Sequence, residues 1–467
     1  MASGLRAGSV ARTAPRDLLL WIVVAAVGAL VLSQGLTSVS FRFATLVVAA
    51  VALFVMVFLR TDFGIYIVIF SMLLSPEFGA GGGLAEKREV VLRSEDFLLL
   101  VIGFSWFAKT AVNKELGLVA KTPLNRPIFA YVASAAIATL VGALAGSVRG
   151  QSGFFYVLKY VEYFVVYYMV VNNLRDREQA WRFVTAAFLT AAIVSVIGAG
   201  QIPTGQRVSA PFEGKEGEPN TFGGYLLLMM SIAAGIALET PHFSVRLWTL
   251  GVMALMSLPF AFTLSRASYL GLLPAMLTLT GLTTRRKLMV GLLLMVLVLS
   301  PILAFVAPKA VVNRVLYTFQ PEAGQPTVTL GRLGLDPSTS ARFVSFNQAA
   351  EGWMKRPFLG WGVTGFGFMD SQYARALVET GAIGLMAFFW LVWALLRSGR
   401  SALGELRGGD ERGLALGFLA GTTGLLAHAF GANTFIIVRI MEPFWFFAGI
   451  VVMLPLLERE EGAPATA

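Results

Sequence analysis

Apolar runs long enough to cross a membrane recur from one end of this chain to the other, and that pattern decides what it can fold into. They fall near 18–35, 41–59, 62–76, 95–109, 127–147, 153–173, 179–200, 220–238, 245–263, 267–283, 287–307, 375–397, 413–430 and 434–457. In lipid, every backbone N–H and C=O must find a partner inside the protein, so each run is expected as a helix. The expectation is an all-α polytopic membrane protein. The runs 62–76 and 95–109 are short, so the count is about 12–14 transmembrane helices. The whole of 1–467 reads as a single integral membrane domain.

Composition agrees. Hydrophobic residues make up 56% of the chain and charged residues 14%, against roughly 25% charged in soluble proteins. No soluble fold can hide that much apolar surface. A soluble enzyme, a nucleic-acid-binding domain and a disordered protein are argued against. There is no cysteine, and the two histidines are His242 and His428. A disulfide, a thiol nucleophile and a His-rich metal cluster drop out with them.

The net charge of +10 is read as basic cytoplasmic loops rather than a polyanion partner. With the N-terminus inside, those loops hold Arg60; Lys109, Lys114, Lys121 and Arg126; Arg175, Arg177 and Arg182; Arg285, Arg286 and Lys287; and Arg397, Arg400, Arg407 and Arg412. The C-terminus also ends inside. The first run follows Arg6, Arg12 and Arg16. A signal peptide is its alternative, but no small-x-small cleavage site precedes the next run, so it is read as a retained helix. Two polar segments then fall outside, 201–219 and 308–374. The second is too long for a simple connection and is expected to be a large, partly helical, functional loop. No internal repeat is seen.

Charges in or beside a membrane are costly and mark candidates for function. Arg266 sits in T-L-S-R-A-S-Y-L-G between two runs with almost no loop. A permanently charged fork there suits an anion such as pyrophosphate; a helix cap or a lipid-headgroup contact is the bland reading. In S-T-S-A-R-F-V-S-F-N-Q-A-A-E-G-W-M-K-R-P, Ser338 or Ser340 is expected to cap a helix that Pro357 ends. Arg342, Phe346, Ala349 and Trp353 then share one face. That face suits a lipid-linked or sugar ligand, or simple packing on the bundle. The glycine-rich P-F-L-G-W-G-V-T-G-F-G-F-M-D lacks the Lys-Ser/Thr of a nucleotide loop. It delivers Asp370 to the mouth of the next helix, as a general base or as an N-terminal cap.

Arg207, Lys215, Glu218 and Asn220 enter helix 220–238, where Pro219 and Asn220 also read as an ordinary helix start. Helix 153–173 carries Lys159 and Glu162 three apart, with Tyr156, Tyr160, Tyr163 and Tyr167 as a stripe. The stripe is a polar aromatic wall for a sugar or an interfacial belt over an internal ion pair. Arg93, Asp96, His428, Asn433 and Arg439 lie at other outer helix ends. A channel or carrier would show midplane charges or broken helices in paired halves, and no paired halves are visible.

At these residues the chain resembles the O-antigen ligase and polymerase family of bacterial polysaccharide assembly. The resemblance is carried by Ser265–Arg266, the Arg342-to-Trp353 helix, P-x-x-G-x-G at 357–362 and D-S-Q-Y-x-x-x-x-x-E-x-G at 370–381, with E-P-N at 218–220 and R-S-E-D at 93–96 as weaker echoes. It implies a multi-pass protein of the bacterial inner membrane with both termini cytoplasmic and a periplasmic active site. It also implies a metal-independent glycosyltransferase with no cofactor, acting on an undecaprenyl-diphosphate-linked glycan donor and a glycan acceptor. A chain-length regulator is a further partner such systems use; nucleic acid is not. Arg266 and Arg342 would bind the departing diphosphate with help from Arg207, and Asp370 would be the base, with Glu218 or Glu379 as substitutes. Asn220, Lys159, Glu162, Trp353 and Tyr373 complete the expected substrate contacts. Ligases resembling this chain usually carry His where Asp370 stands, which favours a polymerase of exopolysaccharide or O-antigen repeat units. A ligase acting on a lipid A core and a lipid-linked oligosaccharide transporter are the alternatives.

Overall fold

The computed structural model describes residues 41–78, 92–112, 120–148, 150–213, 217–306, 308–320, 328–330, 333–367 and 369–462. Their helices are α1 (Phe41–Leu59), α2 (Thr61–Leu74), α3 (Ser94–Val112), α4 (Asn125–Leu144), α5 (Gly150–Asn173), α6 (Arg177–Gln201), α7 (Pro219–Glu239), α8 (Phe243–Phe262), α9 (Arg266–Leu282), α10 (Arg286–Val306), α11 (Lys309–Leu316), α12 (Pro337–Lys355), α13 (Gln372–Glu405), α14 (Gly409–His428) and α15 (Val438–Gly462). The strands among these residues are four two-residue pieces in two antiparallel pairs. Thirteen of the fourteen apolar runs coincide with a helix; the run 18–35, with Arg6, Arg12 and Arg16, lies outside the described residues, as do Lys114 and Lys215. The protein is an all-helical, multi-pass membrane protein. By length and composition alone, seven described helices can cross a membrane: α4, α5, α6, α7, α8, α13 and α15.

α7 is the axis of the bundle, packed along α14 and α8. Glycines set its distance from α14. A Cβ on Gly235 would stand 2.4 Å from the Gly413 carbonyl oxygen, so the two backbones touch where Gly235 faces Gly413 and Gly417. α10, by contrast, leaves most of its apolar side chains outside the bundle, Leu297 and Val298 among them.

The loops separate by charge. Contacts between Lys109 and Thr61, Gln179 and Asp62, Arg177 and Glu411, Arg412 and Glu239, and Arg459 and Glu405 tie the Arg/Lys-rich connections into one end of the bundle. The described residues of 202–213 and 308–371 lie at the other, here termed the loop end. The long segment is partly helical, with α11, a 3-10 turn at Tyr317–Phe319 and α12, and residues 372–374 already belong to α13.

The expected span 375–397 is not one continuous helix. Gly381 adopts φ 65°, ψ −168° and breaks it, a conformation essentially confined to glycine. The glycine-rich segment repairs the break. The N–H of Ala382 donates to the Pro357 carbonyl (2.8 Å) and that of Ile383 to Phe358 (3.2 Å). In return Trp361 and Gly362 donate to the carbonyls of Val378 (2.9 Å) and Glu379 (2.8 Å). Backbone groups freed inside a membrane bundle are thus satisfied, and the segment is a helix splint.

The tyrosine stripe of α5 is neither a sugar wall nor an interfacial belt. Tyr160, Tyr163 and Tyr167 are buried, and Tyr163 and Phe164 pack on Trp445 of α15 with centroids 6.5 and 4.7 Å apart. Period and polarity alone could not reveal that α15 covers this face.

Candidate functional site

The site begins at the three-residue turn between α8 and α9. Leu264 takes a positive φ of 50° there, which strains a non-glycine residue. The end of α8 leaves the carbonyls of Thr263 and Leu264 for outside donors. Arg207 Nε donates to Thr263 O (3.0 Å) and its Nη2 to Leu264 O (3.3 Å), while Arg314 Nε donates to Leu264 O (3.2 Å). One strained turn thereby gathers an arginine from the 205–213 segment and one from α11.

Arg266 follows at the first turn of α9. Its fork closes on Asp336, at 2.7 and 3.1 Å, and also donates to Thr318 Oγ1 (3.0 Å) and Ser338 Oγ (3.1 Å). Asp336 is fully buried and caps α12, accepting from the N–H of Ser338 and of Thr339. The expected caps, Ser338 and Ser340, do not serve. Asp-Pro-Ser is an N-cap followed by proline at the first helical position. Ser340 is turned instead to the Val328 N–H and the Leu335 carbonyl. Burial works to raise the Asp336 carboxyl, but Arg266 and Thr339 hold it below its ordinary value. The pair fastens α12 to α9.

So anchored, α12 turns the predicted face inward. Ala349 is buried and Phe346 packs with it against Met369, Ala374 and Val378. Arg342 is half-buried, and its Nε has no hydrogen-bond partner. A Cβ on Gly431, in the α14–α15 corner, would lie 3.8 Å from its guanidinium carbon. Burial depresses its pKa; Asp370 and Asp336 oppose that, and Arg266 and Arg314 add to it. Arg207 is pushed down to about 10, first by burial and then by Arg314, Arg266 and Arg342, against a raising influence of Tyr269. Four guanidinium groups therefore act on one another across a small space.

Asp370 faces this group. Ser371, not Asp370, is the N-cap residue of α13, and it makes no side-chain cap bond. The chain on either side of Asp370 is pinned to the α14–α15 corner. Asn433 Nδ2 donates to Met369 O (2.6 Å), the Gln372 N–H to Ala429 O (3.0 Å), and the Phe435 N–H to Gln372 Oε1 (3.1 Å). Asp370 itself makes no hydrogen bond among the described residues. Burial raises its pKa above the ordinary carboxyl value, and the positive charge of Arg342 moderates that rise. A carboxylate so placed can take a proton, and the arginines beside it can hold a dianion.

The structure brings Arg207, Arg266, Arg342 and Asp370 together. It commits the other expected residues to contacts within the bundle. Glu379 is buried, 3.0 Å from Arg375 Nε, and accepts from the Thr364 N–H (3.1 Å). The Tyr373 hydroxyl donates to Leu426 O (2.6 Å), and Trp353 Nε1 donates to Pro357 O (2.9 Å). Lys159 pairs with Asp96 and with Glu162, the latter at 3.1 Å. Glu218 Oε2 accepts from Thr221 Oγ1 (3.0 Å). Asn220 Oδ1 accepts from Ser265 Oγ (2.7 Å), so E-P-N meets S-R across two helices. Arg314, Asp336 and the Met369-binding role of Asn433 were not singled out from sequence. The D-P-S-T signature could have found Asp336; Arg314 had no signal beyond one arginine in a short amphipathic stretch.

Residues 251–389 match a family model described as O-antigen ligase. This match supports an O-antigen ligase/polymerase family assignment. The matched segment holds Arg266, Arg314, Asp336, Arg342 and Asp370 and ends inside α13, with Arg207 before it. It supports a function of the ligase/polymerase type and glycosyltransferase-like chemistry. No curated protein matches the chain.

Proposed function

We propose that this protein is a polysaccharide polymerase that joins undecaprenyl-diphosphate-linked repeat units at the periplasmic face of the inner membrane, with both termini cytoplasmic. The loop end is then periplasmic, and the arginine-rich connections at the opposite end are cytoplasmic, following the positive-inside rule. The observation that carries the reading is the half-buried guanidinium of Arg342, its Nε without a partner, set among three further arginines and acting on Asp370. In the reaction, the acceptor hydroxyl attacks the anomeric carbon of the donor glycan. Its bond to the diphosphate oxygen breaks, and the hydroxyl proton passes to Asp370. Arg342, Arg314 and Arg207 stabilise the charge gathering on the leaving diphosphate, which removes the need for a metal. Arg266 acts through Asp336 as a positioning residue that sets the height of α12.

The test uses purified protein in detergent, EDTA and no nucleotide, with a synthetic undecaprenyl-diphosphate repeat unit as the only substrate. A ladder of lipid-linked oligomers, lost in Arg342→Ala, is the expected product. No ladder, but transfer once a lipid A core is supplied, would make the protein a ligase. Inactivity with both would bring the transporter forward.

A further inference from the structure

The end of the bundle opposite the arginine site holds a second concentration of positive charge that the proposed reaction does not use. A cavity of about 530 Å³ opens there between the α9–α10 turn and the start of α14, lined by Thr283, Thr284, Arg285, Arg286, Lys287 and Arg412. Glu239, at the end of α7, is committed to shaping it. Its carboxylate accepts from Thr283 Oγ1 (2.7 Å), the Thr284 N–H (2.7 Å) and Thr284 Oγ1 (2.8 Å), and Arg412 Nε stands 3.4 Å away. Four cations against that one carboxylate leave a balance of 4 − 1 = +3 around the cavity. Among the described residues, Arg286 and Lys287 are exposed and make no ion pair. Arg285 reaches the Thr240 carbonyl (3.4 Å), which orients it without neutralising it.

The cavity is amphipathic. Leu282 and Leu288 complete its wall. From Leu288 onward α10 presents an apolar surface that the bundle does not cover, since its main packing partner is α9. A polar recess with hydroxyl and guanidinium donors therefore opens directly onto a lipid-facing helix. A phosphate held by the donors would carry any attached acyl chains along that helix, while a soluble anion would gain nothing from it.

We infer that this corner binds the phosphate of an anionic phospholipid, with the acyl chains lying along α10. The site is independent of the proposed glycan transfer. The experiment is thermal unfolding of the full-length protein in neutral detergent, titrated in turn with phosphatidylglycerol, phosphatidylcholine and inorganic phosphate. Phosphatidylglycerol is expected to raise the Tm, and the other two to leave it unchanged. Each cation near an anionic headgroup contributes about 1 kcal/mol, so Arg286→Gln with Lys287→Gln should need about thirtyfold more phosphatidylglycerol for the same rise. If that double variant does not fold, Lys287→Gln alone is read, with about a fivefold change expected. Arg342→Gln, at the loop end, should respond as the parent does. An equal response to phosphatidylcholine would overturn the proposal, as would an unaltered response in the cavity variants. The same rise with inorganic phosphate would make this a soluble-anion site and overturn the lipid assignment.

Discussion

Two collections of charge lie in the loop-end half of this bundle, and they differ in how their cations are paired. Arg207, Arg266, Arg314 and Arg342 stand with two carboxylates, Asp336 and Asp370. A second collection packs Glu95, Asp96, Glu162, Glu213 and Glu442 with Arg93, Lys159 and Arg439. In the second, each cation meets an acid directly, while Glu442, among the described residues, forms no ion pair. Lys159 bridges Asp96 and Glu162, and Arg439 lies 3.9 Å from Glu213 while donating to the carbonyls of Pro211 (2.7 Å) and Ser75 (2.9 Å). In the first, among the described residues, the one direct ion pair joins Arg266 to Asp336, and Arg342 stays open at Nε. Charge in a membrane protein can brace helices or wait for a ligand. Direct pairing of each cation with an acid separates the two uses, and composition does not.

The comparison is broken most sharply at Asp370. Asp370→Asn should lower transfer by about 10³-fold with little change in Tm, since a positioned base contributes roughly 10²–10⁴-fold and Asp370 makes no hydrogen bond among the described residues. Single-turnover transfer beside thermal unfolding checks both halves. Its raised pKa also fixes a sign. The rate should fall as pH drops through that pKa, at a higher pH than an ordinary carboxylate would give. Arg342 holds the pKa down, so Arg342→Gln should move the acid limb to still higher pH.

Arg342→Ala is expected to cost roughly 10²-fold in transfer, the usual loss for one preorganised charge donor, again with the fold kept. Unchanged polymer yield from this variant would sink the proposed role of the arginine site.

Asp336→Ala tests the clamp rather than the chemistry. It strands Arg266 and uncaps α12, and should lower stability by about 2–3 kcal/mol, less than a fully buried pair because Arg266 is partly exposed. The depressed pKa of Asp336 carries a sign as well. Its stabilisation is present above the ordinary value of 3.8 and is lost as pH falls through the lower folded value. Thermal unfolding across that range, parent against Asp336→Asn, reads it.

The smallest effect should come from the acid-rich collection. Glu162→Gln is expected to leave transfer within about threefold, well under 1 kcal/mol of barrier. A hundredfold loss there would erase the distinction between bracing and binding charges.

The sequence by itself determined the helices. Every described apolar run became helical, 375–397 with a break at Gly381, because lipid leaves backbone groups to be satisfied inside the protein. It also selected Arg266, Arg342 and Asp370, since a charge beside a membrane stands out wherever it folds. It could not say which charges meet. Lys159 and Arg342 read alike in sequence, yet one closes on Asp96 and the other stays open, because that depends on which helix comes to lie opposite. Glu379 looked like a spare base until the break at Gly381 and the splint at 357–362 buried it against Arg375. Arg314 and Asp336 acquired meaning only when the strained turn at Leu264 and the fork of Arg266 reached across 50 and 70 residues of chain to hold them. Local periodicity is written in neighbouring residues; the partner of a buried charge is chosen by packing between distant ones, and only the tertiary structure makes that choice.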